Sequence, residues 1–220
     1  MITLEEIKKN EKIKSYIVKA DESLRAIGYT EHSFAHIGKV ADVASYILET
    51  LGYSKRDIEV VKVASYMHDI GNLINRVNHA HSGALMVYKI LEDLNVEPDF
   101  IADVVTAIGN HDESTAIPVN PITAALIIGD KTDVRRSRVR SDLNPKRFDI
   151  HDRVNYSVKK SVVKINQEKT SIKLKLSIDT KYCAVMEYFE IFLERMLLCK
   201  KAAEKLNLQF HLIINEQQIL

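Results

Sequence analysis

Tryptophan is absent, and 220 residues hold only two cysteines, four prolines and seven glycines. Cys183 and Cys199 fall inside one apolar helical pattern, so a disulfide framework and a cysteine-based zinc site are both disfavoured and the pair reads as core. The scarcity of Gly and Pro leaves few turn-rich stretches and favours helices. No apolar run approaches the roughly 20 residues that span a bilayer, and Met1 to Glu6 opens an amphipathic segment without the apolar centre of a leader. The expectation is a cytoplasmic protein with no membrane partner. An excess of charge of one sign is also missing, with 31 basic against 30 acidic residues. That balance disfavours a globally basic nucleic-acid binder, so any anion site must be local. The length allows one full-sized core plus a small appended module.

What is present is helical periodicity punctuated by caps. Leu4 to about Ala26 reads as one helix ending at Gly28. A second begins near Thr30 or Glu31 and carries His36, Val40, Val43, Ile47 and Leu51 on one stripe before Gly52. Ser54 caps a third, whose stripe leads to His68, with Gly71 as the C-cap. A fourth starts near Ser82 with Leu85, Tyr88, Leu91 and Leu94 inward and His81 at its mouth. Pro98 opens a fifth that ends at His111, and Pro121 a sixth that leads to Asp130. The character changes around Asn144-Pro145. A short helix from Asp149 is expected next, followed by a hairpin of Val158 to Asn166 and Ser171 to Asp179 turning at Gln167 to Thr170. A long helix then presents Val185, Met186, Phe189, Leu193, Met196 and Leu197 on one face, and Phe210 to Ile214 forms a final strand. The predicted organisation is mainly α: residues 1–148 as a helical metal-binding domain and 149–220 as a small α+β module.

His36, the adjacent pair His68-Asp69, His81, His111 and Asp130 each stand at an edge of an apolar helical run. Imidazole and carboxylate donors without thiolates suit a reactive divalent-metal site, and six such residues are enough for two ions. Two aspartates give a charge of about −2, so two divalent ions would leave the cluster near +2, attractive to phosphate and able to acidify a bound water. Asp69, next to His68 at a helix end, is the candidate bridge between the ions.

The ordered set, with the words His36-Ile37-Gly38-Lys39, Met67-His68-Asp69-Ile70-Gly71, Ile108-Gly109-Asn110-His111 and Ile128-Gly129-Asp130-Lys131, resembles the HD-domain superfamily of metal-dependent phosphohydrolases over roughly residues 30–140. The resemblance implies an all-helical bundle. It also implies a core metal site from His36, His68, Asp69 and Asp130, with His81 and His111 completing a binuclear one. In the word His79-Ala80-His81, His81 is preferred because Gly83-Ala84 follow it at family-like spacing. The implied cofactors are two divalent ions, iron or manganese first, with zinc, cobalt, nickel or magnesium as alternatives. Many family members continue His-Asp-Ile-Gly with Lys, a phosphate-facing cation, whereas this chain has Asn72. Lys131, Arg135 and Arg138, at helical spacing after Asp130, are the candidate replacements. The Gly-Tyr-Pro continuation after the fifth ligand, which marks the cyclic-di-GMP phosphodiesterase branch, is missing.

The expected function is hydrolysis of a nucleotide or other small phosphoester or phosphoanhydride by a metal-activated hydroxide. The rivals are a di-iron oxygenase on the same ligand pattern and a non-catalytic sensor of a phosphorylated ligand. His32 reads as a surface or N-terminal-turn histidine, with a role in holding a third metal or orienting a ligand as the alternative, Asp112 and Glu113 as either orienting groups or solvated loop charges, and His151 and His211 as uninvolved. The Arg135 to Arg140 run alone does not make a nucleic-acid site. The aromatic and Met face of the long helix reads as core or a homodimer contact.

Overall fold

Asn10 ends one helix and starts the next. In the computed structural model, which describes residues 2–140 and 148–220, α1 (Leu4–Lys9) stops at the extended backbone of Asn10, whose side chain accepts from the Ile13 amide to begin α2 (Glu11–Ala26). The single helix expected over this stretch is therefore two, because an asparagine offers a local cap that outcompetes continuation. Ser33 caps α3 (Phe34–Leu51), a few residues later than the sequence suggests, and Gly52 closes it with a left-handed φ of 86°. Ser54 and Asp57 form the capping box of α4 (Lys55–Met67). A 3-10 turn (Ile70–Leu73) leads to α5 (His79–Asp93), then α6 (Pro98–Gly109) and α7 (Pro121–Lys131), both with Pro in the first turn.

Two glycines set how closely these helices meet. A Cβ on Gly71 would lie 2.0 Å from the His79 carbonyl oxygen and 2.5 Å from the Gly83 nitrogen, so the turn after α4 touches the backbone of α5. Gly71 is thus a contact point and not the expected C-cap, a place taken by His68. A Cβ on Gly129 would meet the Val40 carbonyl at 2.8 Å, which locks α7 onto α3 next to Asp130.

The close approach at Gly71 also decides which face of α5 is buried. Ala80, Gly83, Ala84, Val87, Ile90 and Leu91 point inward, while Leu85, Tyr88 and Leu94 are exposed. The sequence reading chose the larger apolar side chains, but only small ones fit against a bare turn. The same rotation affects the long helix α9 (Val185–Lys205), which buries Tyr188, Phe192, Met196, Cys199 and Ala203 and leaves Met186, Leu193 and Leu197 exposed. Both cysteines are buried and free, as expected.

The C-terminal part comprises α8 (Ile150–Ser157), the antiparallel hairpin β1 (Val158–Ile165) and β2 (Ser171–Ile178), α9, β3 (Gln209–Ile214) and the short β4 (Gln217–Gln218). Sheet order is β1-β2-β3-β4, with Val163 opposite Leu174 in the hairpin and β3 parallel to β2 through the pair Ile172 and Phe210. The parallel pairing follows from the crossover through α9, which returns the chain to the same end of the sheet. Ile172, Leu174, Leu176, Phe210, Leu212 and Ile214 face inward and join the helical core in one continuous apolar cluster. The composition break at Asn144-Pro145 lies outside the described residues. Among the described residues no helix is long and apolar enough to cross a membrane.

Candidate metal centre

Five helix ends meet at one place. His36 is in the first turn of α3, His68 and Asp69 close α4, His79 opens α5, His111 follows α6 and Asp130 ends α7. All four imidazoles are buried, and Asp69 and Asp130 are nearly so.

Each ring is held by its Nδ1. His36 donates to Asp133 Oδ2 at 2.8 Å, His68 to the Ser65 carbonyl at 2.8 Å, His79 to the Arg76 carbonyl at 3.1 Å and His111 to the Ile108 carbonyl at 2.6 Å. With the proton on Nδ1, the Nε2 of each ring presents a lone pair to the centre when the ring is neutral. The Nε2 atoms of His36 and His68 are buried and have no hydrogen-bond partner. Those of His79 and His111 face each other at 3.3 Å. Lone pairs in this arrangement call for a cation between them.

The carboxylates occupy the remaining directions. Asp69 Oδ2 is 3.1 Å from His68 Nε2 and 3.6 Å from His36 Nε2, while its Oδ1 is 3.5 Å from His79 Nε2. Asp130 Oδ1 is 3.4 Å from His36 Nε2 and 3.8 Å from His68 Nε2. Donor atoms of His36, His68 and Asp130 lie within 4.8 Å of one another, as do those of His68, Asp69 and His111. The donor set therefore fits divalent ions, and Asp69 offers one oxygen to each side.

Electrostatics support this. Burial disfavours a charged His68, yet Asp69 and Asp130 outweigh it and hold its pKa up at about 10. Burial also opposes the charges on Asp69 and Asp130; nearby His68 beside Asp69, and Lys131 beside Asp130, nonetheless keep both well below the carboxylate range. His111 is pushed down to about 3, by burial first and then by positive His68. Two buried carboxylates thus demand a cation, and without metal a proton on His68 answers that demand.

His81 departs from expectation. It is exposed on the outer face of α5, whereas His79, two residues earlier and a half-turn away, enters the cluster. The error follows from the rotation of α5: His79, Gly83, Val87 and Leu91 form the inward row, and His81 belongs to the outward row with Leu85.

The helical face expected for Lys131, Arg135 and Arg138 does not form, because α7 ends at Lys131 and the backbone is extended at Arg135. Lys131 is buried, 2.6 Å from Asp130 Oδ2 and 3.4 Å from Glu113 Oε2. Arg135 binds Asp133 Oδ1 at 2.9 Å and Glu31 Oε2 at 3.3 Å. Arg138 donates to the carbonyls of Glu31 and Asp133, each at 3.0 Å. These cations hold the frame around the centre.

Sequence reasoning passed over a second cation beside the cluster, Arg76. Its Nη1 donates to His79 Nε2 at 3.3 Å and to Asn72 Oδ1 at 3.4 Å, and the nearest carboxylate oxygen, on Asp112, is 4.0 Å from Nη2. Asn72 in turn donates to Asp69 Oδ1 at 3.0 Å. Spacing held a signal, since Arg76 follows Asn72 by one helical repeat. Arg76 also lines a cavity of about 290 Å³ with Tyr29, His32, Arg138, Phe192 and Arg195. The His32 ring stands 5.3 Å from that of His36, so this cavity abuts the cluster. Asp133, the carboxylate behind His36, was likewise not singled out, although it stands three residues after Asp130.

Residues 33–154, more than half of the chain, match the family described as HD domain, and the chain belongs to the HD-domain superfamily. It is also similar to the uncharacterized protein MJ1020 of Methanocaldococcus jannaschii, at 27% identity across 75% of this chain and 72% of that protein. A solved structure with some likeness is the 1.45 Å crystal structure of a predicted HD superfamily hydrolase from an uncultured Thermotogales bacterium. The TM-score is 0.45 and the identity 21%, covering 61% of this chain and 75% of that one.

Proposed function

We propose that the protein hydrolyses a small phosphoester or phosphoanhydride, a nucleotide foremost, at a two-metal centre held by His36, His68, Asp69, His79, His111 and Asp130. The observation that carries this reading is the convergence of four Nδ1-anchored histidines on two carboxylates, with the Nε2 atoms of His36 and His68 left without a partner. His36, His68 and Asp130 would hold one ion, His79 and His111 the other, and Asp69 would bridge them. Bound manganese or iron would supply Lewis-acid polarisation of the phosphoryl group and an acidified water.

The chain's own residues do the rest. Asp133 fixes the tautomer and orientation of His36, as the backbone carbonyls do for the other rings. Lys131 neutralises Asp130 and joins it to Glu113, which pairs with Arg195 of α9. Arg76 supplies the cation that Asn72 does not, since its guanidinium faces both the ligands and the cavity with no carboxylate in close contact. The same reading assigns residues 1–148 to the metal-binding domain and 149–220 to a module that walls the cavity through Phe192 and Arg195.

Protein loaded with Mn²⁺ or Fe²⁺ is expected to release phosphate from members of a nucleotide and organic-phosphate panel. Asp69→Ala abolishes turnover, and Arg76→Met lowers kcat/KM by roughly 10- to 100-fold, the worth of a charge-assisted bond. Unchanged turnover in Asp69→Ala refutes the mechanism. Oxygen consumption by the iron form with no hydrolysis by the manganese form replaces it with the oxygenase.

A further inference from the structure

The near-neutral chain does not spread its charge evenly. The four strands carry five lysines and neither aspartate nor glutamate. Lys159 is paired with Asp179 at 2.9 Å. The other four, Lys160, Lys164, Lys173 and Lys175, share the face of the sheet turned away from the core, because residues on that face alternate with buried Ile172, Leu174 and Leu176. Strand register brings them together: Lys164 is directly opposite Lys173, and Val162 between them in the pattern is opposite Lys175.

Several helical lysines are neutralised within their own helix. Lys8, Lys14, Lys19 and Lys89 each meet a carboxylate three or four residues away. Among the described residues no ion pair is found for the four sheet lysines, and Glu216 in the β3–β4 turn is the carboxylate on the rim of the patch. Like charges placed directly opposite on a ladder destabilise it, so the pairing of Lys164 with Lys173 weakens the hairpin unless an anion spans them. Between the lysines, Val162, Ser177, Ile213 and Asn215 line a shallow concavity of about 600 Å³.

We propose that this sheet face binds the phosphate backbone of a single-stranded nucleic acid, at a site separate from the metal centre. The ligand class follows from the chemistry of the face. In the ladder the positions of Lys173 and Lys175 are about 7 Å apart along β2, and that of Lys164 is about 5 Å from Lys173 across the pair, which suits a repeating anion. The strand residues on this face include one ring, His211, next to Lys173 in the register and 3.2 Å from Gln218 through its Nδ1, and no Phe or Tyr, so recognition rests on backbone charge and is largely independent of sequence. The lysines lie on the face of a four-stranded sheet and not along a helix that could enter a duplex groove.

Salt dependence tests this directly, with fluorescein-labelled oligouridylate as probe and anisotropy as readout. Four lysines on a single strand give a slope of log K against log salt of about −3, a loss of about 50-fold in affinity between 50 and 200 mM. The double variant K164Q/K173Q is expected to halve that slope. Lys173→Glu is the control for folding, because it sets a carboxylate opposite Lys164: Tm stays level or rises while binding is lost. Three results overturn the proposal: a slope unchanged in K164Q/K173Q, equal affinity for polyglutamate or for phosphatidylserine vesicles, or tighter binding of duplex than of single strand.

Discussion

Asp133 offers the sharpest quantitative test of the centre, because it touches a candidate ligand without facing the metals. Its side chain is buried, accepts from His36 Nδ1 at 2.8 Å and pairs with Arg135 at 2.9 Å. Burial opposes its charge, but the His36 bond and the Arg138 charge prevail and hold its pKa down at about 2, against an ordinary 3.8. That difference is worth roughly 2 kcal/mol of stability. Because the folded pKa is depressed, the contribution is present above about pH 4 and is lost as pH falls towards 2. Asp133→Asn removes the charge while keeping the shape. The expected cost is about 2 kcal/mol, or about 4–8 °C in Tm for a chain of this size. The ring of His36 also loses its anionic anchor, and partners of this kind are worth about 10- to 100-fold in metal affinity. Asparagine still has an acceptor oxygen for His36, so a loss near tenfold is expected for Asn and near a hundredfold for Ala. Calorimetric titration of chelator-treated protein with Mn²⁺ measures the affinity, and thermal melts without metal at pH 3 and pH 7 measure the stability. Wild-type metal affinity in Asp133→Ala, or a destabilisation of equal size at both pH values, refutes the reasoning.

His79→Ala should halve the metal content found by elemental analysis and abolish activity, while His81→Ala leaves both unchanged; the reverse outcome would restore His81 as the ligand. Gly71→Ala forces the turn away from the His79 carbonyl, which lies 2.0 Å from the new Cβ. Its cost is expected to exceed the usual overpacking range of about 1–3 kcal/mol, and a Tm within a degree or two of wild type would contradict the close approach. Without metal, His68 keeps its proton up to about pH 10, so at neutral pH metal binding must expel it and apparent affinity must rise with pH. Titration in buffers of different ionisation enthalpy should show about one proton released per protein, and none released would refute it.

Some of this molecule is decided by the order of its residues. The caps Ser54, Pro98 and Pro121 start helices where local chemistry alone places them. The alternation of Ser171 to Ile178 makes a strand, and the order of His36, His68-Asp69, His111 and Asp130 marks the family and five of the six proposed ligands. These are short-range signals, and each survives whatever the rest of the chain does.

What tertiary structure decided is which side of a helix faces in. On α5, hydrophobic size pointed to Leu85 and Tyr88, but the bare backbone at Gly71 lies too near for them, so the small row Ala80, Gly83 and Ala84 turns inward and brings His79 with it. Arg76 and Asp133 acquire their roles the same way, through neighbours that are distant in sequence or hidden in a turn. The hairpin turn sets Lys164 opposite Lys173, and packing of the apolar side of the sheet on the core leaves that lysine face open. Sequence determines the donors because side-chain chemistry is local, and the fold decides which of them meet because a steric limit between two backbones has no local signature.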